Sequence, residues 1–268
     1  MRKLILCGAL AWMVSWLFAA QVDTLSVRSE CMRKGIKTIV VVPDVAKERA
    51  CPTVYLLHGF GGNYKTWLQI KPELPRIADR MGFVFVCPDG AGSWYWDSPR
   101  NPDVRYETFI STELVRFVDA RYNTIKERSG RAITGLSMGG HGAMWNAIRH
   151  SEVFGAAGST SGGLDIRPFP KSWEMYKQLG ARDEHPDVWD THTVINLVPG
   201  LENGRLALIV DCGYGDFFFD VNQKFHEALL ERGIDHDFLV RPGEHNNTYW
   251  RNSIDYQLLF FQKYFEGR

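Results

Sequence analysis

Gly135-Leu136-Ser137-Met138-Gly139 is a G-x-S-x-G pentapeptide in which a serine could serve as nucleophile. A serine hydroxyl is weakly nucleophilic at neutral pH, so it must be presented to a neighbouring base. A sharp strand-turn-helix elbow presents it well, and the crowded turn requires glycine two residues before and two after the serine. Arg131-Ala132-Ile133-Thr134 reads as the end of a strand, and Gly140-His141-Gly142-Ala143-Met144-Trp145 as the start of a helix. The chemistry this context suggests is acyl transfer through Ser137.

That chemistry needs a base and an orienting acid, which in elbow-type folds follow the serine in the order acid, then histidine. Of the eight histidines, His226 lies mid-helix, His236 opens a strand, and His150, His185 and His192 fall in ordinary surface contexts. His58 sits in a glycine-rich loop and His141 on the elbow helix. Only His245 occupies a glycine-containing loop after the last strand, so it is the expected base. For the acid, Asp216 lies in the loop after the strand at 206–210, where its carboxylate can reach an imidazole on the next loop. Asp211, which closes that strand, is the alternative, with a structural loop cap as its plainer role. Two amides are expected to hold the developing oxyanion: Met138, at the helix N-terminus, and Phe60, in His58-Gly59-Phe60-Gly61-Gly62. No C-x-x-C or His/Cys spacing suggests a metal site, and no cofactor is implied.

The elements that must position these residues are legible in outline. Val22–Arg28 and Ile36–Val42 are rich in β-branched residues and flank a turn at Arg33-Lys34-Gly35, so they predict an antiparallel hairpin. Continuous apolar runs at Thr53–Leu57, Phe83–Cys87 and Leu206–Val210 predict strands buried on both faces, and Phe154–Ser159 and His236–Val240 add two more. Helices are expected over Glu73–Met81, Glu107–Tyr122, Phe218–Arg232 and Thr248–Phe265, besides the one after the elbow. Strands alternating with helices predict an α/β fold with a mostly parallel sheet and helices on both faces. Leu164–Gly200, with Pro168, Pro170, Pro186 and Pro199, reads as a small cap or lid insertion in a single domain spanning 21–268.

Lys and Arg together number 31, as do Asp and Glu, so the charge balance gives no support for a nucleic-acid partner. Met1-Arg2-Lys3 is followed by an uncharged, apolar run from Leu4 to Val22, and Ala19-Ala20 offers a small-residue cleavage site. Residues 1–20 therefore read as a secretory signal peptide, which places the protein outside the cell or in the periplasm. The run is also long enough to span a bilayer, so an uncleaved membrane anchor is the alternative. Five cysteines occur. Cys7 leaves with the signal, Cys31 and Cys51 are the first pair to consider for a disulfide, and Cys87 and Cys212 read as small buried apolar residues.

Taken together, several of these stretches resemble a known family. They are Tyr55-Leu56-Leu57-His58-Gly59-Phe60-Gly61-Gly62, Pro88-Asp89-Gly90, Ser93-Trp94-Tyr95, the elbow, Cys212-Gly213…Asp216-Phe217 and Pro242-Gly243…His245. They resemble the esterase family that includes esterase D (S-formylglutathione hydrolase), tributyrin-type esterases, feruloyl and acetyl-xylan esterases, and mycolyltransferases. The similarity covers nearly the whole mature chain. It implies an α/β-hydrolase fold, a Ser137-Asp216-His245 triad and oxyanion amides at Phe60 and Met138. One departure is Gly243-Glu244-His245, where the family often has Gly-Gly-His. The function expected is a secreted serine carboxylic-ester hydrolase acting on acetyl, feruloyl or short-chain acyl esters of carbohydrates, with Trp94, Tyr95 and Trp96 stacking on a sugar or an aromatic acid. An export signal argues against a glutathione thioester, a cytosolic substrate. The alternatives are an acyltransferase with the same residues, an S-formylglutathione hydrolase-like thioesterase, and a non-catalytic carbohydrate-binding protein.

Overall fold

A computed structural model describes residues 20–267. The expected signal segment, apart from Ala20, lies outside the described residues. The strands are β1 (Gln21–Ser29), β2 (Lys34–Val42), β3 (Thr53–Leu57), β4 (Val84–Pro88), β5 (Arg131–Gly135), β6 (Ala156–Thr160), β7 (Ala207–Gly213) and β8 (Asp237–Arg241). The helices are α1 (Thr66–Ile70), α2 (Leu74–Met81), α3 (Tyr106–Thr108), α4 (Leu114–Arg121), α5 (Met138–Arg149), α6 (Tyr176–Leu179), α7 (Pro186–Thr191), α8 (Phe219–Glu231) and α9 (Asn247–Phe265). Among the described residues, no helix is long and apolar enough to cross a membrane.

The strands form one sheet in the order β1-β2-β4-β3-β5-β6-β7-β8. β1 and β2 are the antiparallel hairpin, and β2 joins β4 antiparallel. From β4 through β8 every neighbouring pair is parallel. Alternate residues of a strand face opposite sides of a sheet, so a strand covered on both sides is buried at every position and predominantly apolar, any polar side chain in it needing a partner. On one face Tyr55, Leu57, Val86 and Ile133 meet α4, α5 and α8. On the other, Val54, Leu56, Phe85 and Ala132 meet α1, α2 and α9. This is why the strands at 53–57, 84–88 and 131–135 are buried at every position.

The helix expected over 107–122 is interrupted. A single π turn at Phe109–Glu113 separates α3 from α4. There the Ser111 hydroxyl donates to the Glu107 carbonyl at 2.7 Å. The Glu107 side chain is spent on three partners from α5 and the residue after it: Trp145 Nε1 at 2.8 Å, Arg149 Nε at 2.7 Å and His150 Nε2 at 2.9 Å. The stretch at 164–200 carries α6 and α7, and it buries Leu164, Ile166, Met175 and Trp189 in the same apolar cluster as the sheet. Cys31 and Cys51, the first pair to consider for a disulfide, are not bridged, and all four described cysteines are free thiols. Cys31 sits at the hairpin turn, with its Sγ 3.3 Å from Glu113 Oε2. Cys51 is buried where the chain enters β3, its amide donating to Asn123. Cys87 and Cys212 are buried in β4 and β7, and burial pushes both thiols up.

Candidate active site

The loops that leave β3, β5, β7 and β8 at their carboxyl ends meet at one edge of the sheet, where parallel α/β folds open a crevice. The β5 loop is the elbow. Ser137 has φ 57° and ψ −120°, a strained region for any residue with a side chain. Neighbouring backbone enforces the glycines on either side. A Cβ on Gly135 would stand 2.4 Å from the Gly139 carbonyl oxygen, and one on Gly139 would stand 2.3 Å from that of Leu57. The Ser137 amide donates to the Thr160 carbonyl of β6 at 2.9 Å, and the His141 amide to the Ser137 carbonyl at 3.1 Å, so α5 starts directly at the serine.

The β7 and β8 loops bring Asp216 and His245 to it. Ser137 Oγ donates to His245 Nε2 at 2.9 Å. His245 Nδ1 donates to the Asp216 carboxylate, 2.9 Å from Oδ2 and 3.0 Å from Oδ1. Asp216 Oδ1 also accepts the Phe218 amide at 2.8 Å, which fixes the carboxylate's orientation. Neighbouring backbone joins the two loops: the Gly215 amide donates to the Gly243 carbonyl at 2.9 Å and the Tyr214 amide to the Arg241 carbonyl at 3.0 Å. Asp211, the alternative acid, is taken up elsewhere. It accepts from Arg241 and from the Tyr249 hydroxyl, and burial pushes its carboxyl up.

The β3 loop lies against Ser137. Gly59 packs on Ser137 and Leu136, and a turn closes from the Gly62 amide to the Gly59 carbonyl at 3.0 Å. His58 is buried and held at both ring nitrogens: Nε2 accepts the Gly90 amide at 2.7 Å, so Nδ1 carries the proton and donates to the Gly59 carbonyl at 2.7 Å. Met138 opens α5, and the first amides of a helix have no acceptor within it.

A family model described as "Putative esterase" matches residues 29–261. The chain belongs to this esterase family. It is 26% identical to an acetyl esterase from Caldicellulosiruptor saccharolyticus over 84% of its own length and 92% of that protein. It is 23% identical to the S-formylglutathione hydrolase of Mus musculus, covering 79% of this chain and 82% of the other. A solved structure of a ferulic acid esterase superposes with a TM-score of 0.80 at 28% identity, over 92% of this chain and 99% of that one. The fold is that of the α/β-hydrolases, and carboxylic-ester hydrolysis is the activity the family carries.

In the esterase, the aromatic trio expected to bind substrate is placed otherwise. Trp94 is 1% exposed, and Tyr95 and Trp96 are 0% exposed, so none offers a face to a ligand. The loop that carries them is wedged between α5 and the stretch at 164–200. Trp94 and Trp96 stack on each other at 5.7 Å and meet the His141 ring edge-on at 5.2 and 5.1 Å. The Tyr95 hydroxyl accepts the His58 amide at 3.0 Å and donates to the His58 carbonyl at 3.1 Å, so it anchors the β3 loop. Glycines make room for these rings: a Cβ on Gly90 or Gly142 would meet the Tyr95 ring at 2.3 Å, and one on Gly163 would meet Trp94 at 2.9 Å.

The rings that do border the candidate site carry no pattern that marks them in the sequence. Phe217 is 52% exposed, and its ring lies 4.2 Å from the His245 imidazole. It stacks on Trp173 of the 164–200 stretch at 5.8 Å and 21°. Trp173 has φ 48° and Glu174 φ 53°, a strained pair at the rim. Trp250 meets His245 edge-on at 4.9 Å. Phe60 is also exposed, its ring lying over Gly92.

Proposed function

We propose that this protein is an exported serine esterase that works through an acyl-enzyme on Ser137. The observation that carries the reading is the hydrogen-bonded line from Ser137 Oγ through His245 to Asp216, with 2.9 Å at each step. As Oγ attacks the ester carbonyl, His245 Nε2 takes the hydroxyl proton. Asp216 holds Nδ1–H and stabilises the imidazolium. The Phe60 and Met138 amides receive the developing oxyanion. His245 then gives its proton to the leaving alcohol, and the acyl group stays on Ser137. Water, deprotonated by the same imidazole, attacks the acyl carbonyl, and the acid departs as Ser137 recovers its proton.

The substrate class we infer is an acetyl or feruloyl ester of a carbohydrate. The acetyl esterase and ferulic acid esterase relatives support it. The Phe217–Trp173 wall beside His245 supports the feruloyl ester in particular, as a flat apolar surface on which an aromatic acyl group can stack. Export is inferred from the basic start and the apolar run to Val22.

The test is p-nitrophenyl acetate hydrolysis by the wild type and Ser137→Ala, followed by acetylated and feruloylated xylan fragments. Equal rates for the two proteins on p-nitrophenyl acetate would overturn the reading. The mass of the mature protein recovered from its native host checks removal of the first ~20 residues.

A further inference from the structure

Asp211 is completely buried within β7, two residues before its end. Its Oδ2 accepts from Arg241 Nη2 at 2.5 Å, and its Oδ1 accepts from the Tyr249 hydroxyl. Arg241 is the last residue of β8, and Tyr249 lies in the first turn of α9. Each stands four residues from His245, one before it and one after it. A single buried carboxylate therefore joins both feet of the loop that carries the imidazole.

The two feet are themselves well seated. The Arg241 guanidinium lies over the Tyr249 ring at 5.1 Å and over the Tyr256 ring at 4.1 Å. Gly243, at φ 154°, lies flat on the Tyr249 ring, where a Cβ would stand 2.1 Å from Cδ2. So the ring that Asp211 holds is also the floor of the loop.

Tyr249 belongs to a polar seam along α9. Tyr249, Ser253 and Gln257 recur every four residues, and they face Asp211 of β7, Thr160 of β6 and Thr134 of β5. Ser253 Oγ lies 3.0 Å from Thr160 Oγ1, Gln257 Nε2 donates to Thr160 Oγ1 at 2.7 Å, and the Thr134 hydroxyl donates to Gln257 Oε1. Apolar packing alone tolerates sliding of a helix on a sheet. Directional hydrogen bonds do not, so the seam sets the register of α9 and thereby the place where the His245 loop ends.

We propose that Asp211 is a positioning residue for the esterase reaction, setting through Arg241 and Tyr249 where His245 Nε2 stands relative to Ser137 Oγ. The proposal rests on the reading of Ser137 and His245 as nucleophile and base. Asp211 touches neither substrate nor reacting atoms.

The experiment compares Asp211→Asn and Tyr249→Phe with wild type on p-nitrophenyl acetate, each also in a His245→Ala background. Misplacement by about 1 Å costs up to ~100-fold, so kcat should fall about 10–100-fold while KM stays within about twofold. In the His245→Ala background neither substitution should lower the residual rate further, because the clamp acts only through the imidazole. Unchanged kcat in both single variants overturns the proposal. So does an equal loss in the His245→Ala background, the mark of general loosening. A fully active His245→Ala protein removes the underlying reading, and the proposal with it. If Asp211→Asn fails to fold, Tyr249→Phe decides alone, because it keeps the ring beneath Gly243 and loses only the hydroxyl.

Discussion

A Cβ placed on Gly59 would stand 3.2 Å from the Cβ of Ser137 and 2.7 Å from Leu136 Cδ1. The loop that follows β3 thus crosses Ser137 at backbone distance, and the next amide along it is that of Phe60. A side chain at residue 59 would lift this loop off the serine. Gly59→Ala should therefore lower kcat on p-nitrophenyl acetate about 100-fold, the scale of losing one oxyanion donor. The crowding should also cost about 1–3 kcal/mol in urea unfolding. A kcat within twofold or so of wild type would show that Phe60 is not an oxyanion donor.

Asp216→Asn should keep the fold, because an amide oxygen can still accept the Phe218 amide. The Asn amine would then face His245 Nδ1, favouring the tautomer that cannot accept the Ser137 proton. We expect kcat to fall about 10³–10⁴-fold with KM little changed, measured by steady-state kinetics on p-nitrophenyl acetate.

Phe217 offers its open face next to His245. Phe217→Ala should raise KM for feruloylated arabinose about 3–10-fold, the worth of one aromatic contact, and leave KM for acetylated xylan fragments nearly unchanged. Equal shifts for both substrates would assign the ring to packing His245 instead of binding an aromatic acyl group.

Stability should fall at acid pH, and two groups give the direction. Burial holds the His141 imidazole down at about 3, against an ordinary 6.5. Below pH 6.5 the unfolded chain binds a proton there that the native protein refuses. Stability is therefore full above 6.5 and drains toward pH 3, by on the order of 5 kcal/mol. Burial alone would raise the Glu107 carboxyl, but hydrogen bonds from His150, Arg149 and Trp145 hold it at about 2. Its contribution is present above 4.5 and is lost as pH falls toward 2. Urea midpoints between pH 4 and 7 should show the slope. His141→Phe should flatten it, and an unaltered slope in that variant would refute the assignment.

Much of this molecule is written locally. The elbow is legible because its glycines answer a clash with Leu57 and with each other's backbone that any such turn creates. The strand at 53–57 is legible because a strand covered on both faces favours a continuous apolar run, and that at 131–135 because it leads straight into the elbow. The order of serine, acid and histidine follows from the order of the loops at one sheet edge. The π turn at Phe109–Glu113 was not legible, because the apolar spacing of 107–122 fits an unbroken helix equally well.

What the sequence by itself determined was the α/β alternation, the elbow and a short list of polar residues on the loops that meet it. Only the tertiary structure decided between the two aspartates, since Asp211 is spoken for by Arg241 and Tyr249 while Asp216 reaches His245. It alone turned Trp94, Tyr95 and Trp96 inward and left Phe217 and Trp173 beside the imidazole. It also left Cys31 and Cys51 unpaired. The physical reason is common to all three. Elbows and strands obey rules set by neighbours in the chain, whereas burial and partnership depend on elements that are distant in sequence and meet only in the folded protein.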